Sequence, residues 1–112
     1  MGDIDYMKVL FICNQNQHRS KTAELIFKDR FETKSAGLFN EEPVTEKQLE
    51  WADLIIVMED EQRSEIARRF HKQYIKKQII SLDIPDIYYY MQPELIKILK
   101  KKVMPLMLEQ IL

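Results

Sequence analysis

Cysteine is nearly absent from this chain of 112 residues: Cys13 is the only one, which excludes an intramolecular disulfide framework and a cysteine-rich metal site. Net charge is nearly absent too. A formal charge of −1 on a chain that is 31% charged describes an ordinary soluble surface, without the basic excess that recruits nucleic acid. Long apolar runs are missing; the longest are of strand length, so no membrane span is expected. The first residues, Met1-Gly2-Asp3-Ile4-Asp5-Tyr6, have no basic n-region, so no secretion signal is expected either. Met7-Lys8 makes a natural start, and Met1 to Tyr6 is read as a frayed, disordered extension. Repeats, low-complexity tracts and linkers are not found, and the length suits one domain over residues 1–112.

What is present is a periodic alternation of strand and helix. Met7 to Ile12 reads as a buried strand, and Ser20 to Phe31 as an amphipathic helix with Ala23, Ile26, Phe27 and Arg30 spaced around its turns. A short strand, Thr33 to Ala36, ends at Gly37, and Thr45-Glu46-Lys47-Gln48 is a capping box opening a helix through Trp51. Leu54-Ile55-Ile56-Val57-Met58 is continuously apolar, as a central parallel strand should be; Asp60 is expected to cap a helix from Glu61 to Phe70. Gln78 to Leu82 supplies a fourth strand. Pro93 sits well at a first helical position, Leu95, Ile96, Leu99 and Val103 continue that helix, and Pro105 is expected to kink or end it. Leu106 to Leu112 is then a further helical turn or a mobile tail, and its apolar character leaves the oligomeric state open. The class is α/β: a four-stranded parallel sheet in three layers, with helices on both faces and ligands bound beyond the carboxyl ends of the strands. Cys13, Ser35 to Gly37, Glu59 and Asp83 to Asp86 all fall at those ends.

The chemistry concentrates in Cys13-Asn14-Gln15-Asn16-Gln17-His18-Arg19-Ser20, a C-x5-R loop between the first strand and the first helix. A cysteine at a strand end, a short loop closed by arginine and a helix beginning at Ser20 put a sulfur nucleophile beside inward-pointing backbone N–H groups. Such a bowl fits phosphate or another oxyanion. The arginine fork can hold two phosphoryl oxygens, and guanidinium and helix N-terminus together favour thiolate over thiol. Nucleophilic phosphoryl transfer follows, and a thiolate that must stay reduced suits the cytoplasm. The bland alternative is an inert strand-end cysteine with an arginine nearby.

The residues resemble the low-molecular-weight protein tyrosine phosphatase family, and more closely a short branch described as predicted protein tyrosine phosphatases. Strand followed by C-x5-R-S is matched by Cys13, Arg19 and Ser20, with Asn16 at the family's loop asparagine. Ser35-Ala36-Gly37 is similar to its S-A-G stretch, and Ala52-Asp53-Leu54-Ile55-Ile56-Val57-Met58 to its A-D-L-I-x-V-M strand. The resemblance implies a phosphomonoester hydrolase, a protein tyrosine phosphatase working through phosphocysteine without cofactor or metal. Its substrates would be a phosphorylated protein or a small aryl phosphate. Cys13 is then the nucleophile, Arg19 the oxyanion holder, and an aspartate of Pro85-Asp86-Ile87-Tyr88-Tyr89 the general acid. Asp86 is favoured for that role and Asp83 is its rival. Asn14, Gln15, Asn16, Gln17, His18 and Ser20 complete the phosphate loop, Ser20 either donating to sulfur or capping the helix, and Tyr88 is the ring expected at the pocket mouth.

Three departures accompany the match. Gln15 and His18 stand where the family carries glycine and a second cysteine, so Asn16 is expected to take the left-handed conformation, and oxidised Cys13 has no partner for a protective disulfide. Between Gly37 and Trp51 the chain is shorter, removing much of the wall that grips a substrate ring. The rivals are a phosphocysteine carrier, an arsenate reductase and a non-catalytic phosphate- or phosphoprotein-binding module. Arg19 and an acid-bearing turn argue against the first, and the lone cysteine against the second. The basic stripe of Lys97, Lys100, Lys101 and Lys102, with Lys72, Lys76 and Lys77, reads as a solvated face.

Overall fold

Strand and helix alternate along the chain as β1 (Lys8–Cys13), α1 (Arg19–Ile26), β2 (Glu32–Gly37), α2 (Glu46–Trp51), β3 (Leu54–Val57), α3 (Asp60–Arg69), α4 (His71–Lys76), β4 (Gln78–Ser81) and α5 (Pro93–Ile111). The computed structural model describes residues 7–111, with side chains through residue 106. The expected extension from Met1 to Tyr6 lies outside the described residues, as do Leu112 and the tail's side chains from 107 onward. All strand pairs are parallel, in the order β2-β1-β3-β4. β1 therefore sits between the strands that the first two crossovers send in opposite directions, and its carboxyl end is the switch point where such sheets bind ligands.

Each face of the sheet buries its own core because side chains alternate along a strand. Val9, Phe11, Cys13, Leu54 and Ile56 pack with Ala23 of α1, Phe27 just after it, and Leu95, Leu99 and Val103 of α5. Leu10, Ile12, Ile55 and Val57 pack on the opposite side with Leu49 of α2 and Ile66 of α3. β1 and β3 are buried on both faces, which is why they read as unbroken apolar runs.

The helix boundaries differ from the sequence reading in four places. α1 ends at Ile26 instead of Phe31, because the chain must turn there to bring the Glu32 N–H onto Met7 O at 3.0 Å; Arg30 is consequently exposed. The N-cap of α3 is Glu59 and not Asp60, since the Gln62 Oε1 of the first turn accepts the Glu59 N–H at 3.1 Å and also the Met58 N–H at 2.8 Å. α4 has only six residues, too few to leave a periodic signal. Pro105 does not end α5; it removes the bond to the Lys101 carbonyl, which water can satisfy because both residues are exposed. The capping box of α2 is as the sequence implies, with the Gln48 N–H donating to Thr45 Oγ1 at 3.2 Å.

The basic stripe is only partly a solvated face. Lys76 pairs with Glu50 at 2.9 Å, Lys77 Nζ donates to the Glu50 and Ala52 carbonyls, and Lys102 Nζ donates to the Leu82 and Asp83 carbonyls. Bonded first by Lys76, the exposed Glu50 carboxyl is held below its ordinary range. Lys102 thus ties α5 to the segment that follows β4.

Candidate active site

Cys13 is the last residue of β1, and its side chain enters the core face shared with α1 and α5 at 3% exposure. The loop after it is held from beneath. The Asn14 carbonyl accepts the Leu38 and Phe39 N–H groups at 3.0 and 2.9 Å, and Asn14 Oδ1 accepts from Gln62 Nε2 at 3.1 Å. Asn16 adopts φ 54°, the left-handed conformation that a short polar side chain tolerates in place of glycine. That turn aims the Asn16 N–H at Cys13 Sγ, 3.2 Å away. Gly37, opposite Cys13 in the β2 register, leaves the loop no room for a side chain. A Cβ there would lie 2.6 Å from Asn40 Oδ1 and 3.0 Å from the Asn14 carbonyl. Gly37→Ala is expected to cost about 1–3 kcal/mol in urea denaturation; an unchanged midpoint would show that Asn40 yields freely.

Ser20 Oγ lies 3.0 Å from Cys13 Sγ and donates to Asn16 Oδ1 at 2.6 Å. A hydroxyl has one proton. With that proton on Asn16, Ser20 presents an acceptor to the sulfur; with the hydroxyl turned, it presents a donor. Ser20 is not the helix cap, a position held by His18, whose carbonyl accepts the Thr22 N–H and hydroxyl.

Arg19, the first residue of α1, is 1% exposed. Its Nη1 donates to Glu59 Oε1 and to the Ile84 carbonyl, both at 2.7 Å, and its Nε lies 3.7 Å from Asp86 Oδ1. Among the described residues, Nη1 makes both protein hydrogen bonds, so the other edge of the guanidinium makes none, its Nε only facing Asp86. Glu59, 32% exposed, balances the buried charge.

A cleft of about 40 Å³ is lined by Cys13, Gln15, Gln17, His18, Arg19 and Asp86. That is above the roughly 10–15 Å³ that one water requires by the same measure. Asn14, Asn16 and Ser20 shape the loop from outside this lining. The structure brings Asp86 to the cleft and not Asp83, which is exposed at φ 56° with its carbonyl bonded by Lys102. Tyr88 is half-buried against the core instead of standing at the mouth; the ring beside the cleft is that of Tyr89, edge-on to His18 at 6.2 Å. Arg69 supports the rim, donating to the Leu38 carbonyl at 2.6 Å with its guanidinium 4.8 Å over the Phe39 ring. Glu65 binds Arg68 and Arg69, and those bonds, Arg68's first, hold its half-buried carboxyl below the ordinary range. A larger groove of about 550 Å³, lined by Lys34, Pro43 and Trp51 among others, shares no residue with the cleft and contains no cysteine.

No protein-family model and no curated protein sequence matches the chain. Solved structures do. Tyrosine phosphatase Wzb from Escherichia coli K30, in complex with phosphate, superposes with a TM-score of 0.74 at 17% identity over 93% of this chain and 98% of that one. A low-molecular-weight protein tyrosine phosphatase from Bacillus subtilis gives 0.70 at 22% identity, over 93% and 98%. This is the low-molecular-weight phosphatase fold. YwlE arginine phosphatase from Geobacillus stearothermophilus shares it, with a TM-score of 0.71 at 19% identity over 94% and 96%. In that fold the loop between the first strand and the first helix is the segment from Asn14 to His18 here, and the segment before the last helix carries Asp86.

Gln62, Thr22, the Ile84 carbonyl and the pairing of Glu59 with Arg19 are what sequence reasoning missed. Glu59 had a signal, as an acid directly after the apolar central strand and hence at the ligand-binding edge. The others had none, because their partners are backbone atoms or residues far off in the chain.

Proposed function

We propose that the protein is a cysteine-dependent phosphatase acting through a phosphocysteine intermediate. The observation that carries this reading is the convergence of Cys13 Sγ, the Asn16 N–H, the buried Arg19 and Asp86 around one small cleft. The Cys13 thiolate attacks phosphorus while the free edge of Arg19 and the loop N–H groups hold the equatorial oxygens. Asp86 protonates the leaving oxygen and then, as a base, activates the water that cleaves phosphocysteine. Support for a covalent step comes from a neighbour, a cysteine-to-serine mutant of YwlE arginine phosphatase that carries a phosphorylated active-site serine. The residues do this without a metal, and the thiolate is expected to work in a reducing compartment such as the cytoplasm. A carrier or a pure binding module would have no use for an acid beside the oxyanion holder.

Phosphotyrosine is the first substrate class, because Tyr89 stands beside the cleft as a ring on which an aryl ester can pack. Phosphoarginine is the second reading. Gln17 lines the cleft with an amide that can hydrogen-bond a polar leaving group, and the YwlE neighbours are arginine phosphatases. The ratio of kcat/KM on the two phosphorylated amino acids decides between them.

The test is initial-rate hydrolysis of phenyl phosphate with chelator present. Asp86→Asn is expected to lower kcat about 10²- to 10³-fold, and Asp83→Asn to change it by less than about threefold, since Asp83 is absent from the cleft. The reverse pattern would move the acid to Asp83; no turnover by the unmodified protein would leave only phosphate binding.

A further inference from the structure

Asp86 has little holding it in place. Its side chain is 57% exposed, and its contact with protein is the 3.7 Å approach to Arg19. Its position is therefore set by how the turn around it is anchored. Upstream, the Ile84 N–H donates to Met58 O at 2.8 Å and the Ile84 carbonyl accepts Arg19 Nη1. Downstream, Tyr88 is half-buried against the core, the Tyr90 N–H donates to His18 Nδ1 at 3.0 Å, and the Met91 N–H donates to Thr22 Oγ1 at 2.9 Å. Met91 takes φ 59° to make this attachment.

Two consecutive residues, His18 and Arg19, thus grip the acid turn on either side of Asp86. His18 is free to do so because it caps α1 without a side-chain hydrogen bond. Accepting at Nδ1 puts the ring proton on Nε2, and the Tyr89 ring packs edge-on against the imidazole.

We infer that His18 is a positioning residue: its Nδ1 fixes the Tyr90 amide and thereby holds Asp86 at leaving-group distance from the phosphate loop. This rests on the phosphatase reading. Thr22 is the second point of the clamp, since its hydroxyl both donates to the His18 carbonyl and accepts from Met91. A phosphate loop carrying cysteine at this position lacks an acceptor of that reach. The histidine is therefore an addition with its own work, joining the nucleophile's loop to the acid's turn.

General acid positioning has a signature that simple phosphate contact lacks: its loss harms poor leaving groups more than good ones. Phenyl phosphate needs its leaving oxygen protonated, whereas 2,4-dinitrophenyl phosphate does not. His18→Leu, which keeps bulk and removes the acceptor, is expected to lower kcat/KM on phenyl phosphate about 10- to 100-fold. The loss in kcat/KM on the dinitrophenyl ester, which reports phosphoryl transfer and not the later hydrolysis of phosphocysteine, should be several-fold smaller, with inhibition by inorganic phosphate changed less than about threefold. His18→Asn is the decisive rescue. Its Oδ1 lies the same number of bonds from the backbone as Nδ1, so it should recover most of the phenyl phosphate rate, which a proton-transferring imidazole would not permit. In amide hydrogen exchange, the Tyr90 N–H should exchange faster in His18→Leu than in the unmodified protein, and near normally in His18→Asn. Equal losses on both esters, or no rescue by asparagine, would overturn the inference. If the unmodified protein hydrolyses neither ester, the phosphatase reading fails by itself; unchanged Tyr90 exchange in His18→Leu would show separately that the clamp does not exist.

Discussion

Serine in place of Cys13 is expected to abolish turnover of aryl phosphates, a loss on the order of 10⁴-fold or more in kcat, while inorganic phosphate still binds. The substitution changes one atom at a position 3.2 Å from the Asn16 N–H and 3.0 Å from Ser20 Oγ. A hydroxyl keeps both neighbours, so the loop and its φ 54° hinge persist. What disappears is an anionic nucleophile at neutral pH, because the groups in hydrogen-bond contact with that position, the Ser20 hydroxyl and the Asn16 N–H, are not bases that strip a serine proton. Ser20 already donates to Asn16, and Asp86 approaches Arg19. Activity within tenfold of the unmodified protein would place the nucleophile elsewhere and leave Cys13 as core packing.

Arg19→Ala carries the second large expectation, and it combines two effects. Catalytically, it removes the cation lining the cleft that the proposed mechanism uses to hold the phosphoryl oxygens, and a loss of about 10³-fold or more in kcat/KM is expected. Structurally, it deletes a side chain 1% exposed, leaving the Glu59 carboxylate and the Ile84 carbonyl without their donor. Breaking a buried ion pair costs about 3–5 kcal/mol; because Glu59 is 32% exposed, the lower end is expected. Urea denaturation reads the structural part. The double variant Arg19→Met with Glu59→Gln separates the two, since it removes the charge on both sides and should regain much of the stability but none of the activity. A double variant that hydrolyses phenyl phosphate normally would show that Arg19 is purely structural.

The alternating pattern was readable because β1 and β3 are buried on both faces, so their runs from Val9 to Ile12 and from Leu54 to Val57 carry no polar interruption. The loop was readable for a different reason: Cys13, Asn16, Arg19 and Ser20 are local, and a short loop between a strand and a helix fixes their mutual placement through the backbone. Asp86 could not be settled against Asp83 from the sequence. The two differ in which way a turn faces, and that is decided by Arg19, His18 and Lys102, residues 67, 72 and 19 positions from the groups they bind, counted from Asp86 to Arg19, Tyr90 to His18 and Lys102 to Asp83. Tyr88 was taken for the outer ring by its place in a run of three tyrosines, yet only packing shows that Tyr88 turns inward and Tyr89 outward. Glu59 was legible as a strand-end acid but not as the partner of Arg19. In the fold, Gln62 Oε1 accepts the N–H groups of Met58 and Glu59 while the Glu59 carboxylate reaches Arg19.

Catalysis by the proposed route requires that the Cys13 sulfur becomes covalently phosphorylated. The most direct measurement is rapid mixing of the protein with 2,4-dinitrophenyl phosphate, acid quench within the first turnover, and intact-mass and peptide-mass analysis. A mass gain of one phosphoryl group, located on the Cys13 peptide and accumulating further in Asp86→Asn as its hydrolysis slows, is the predicted result. Dinitrophenol released in full over that turnover, with no phosphoryl group on Cys13 in either protein, would contradict it.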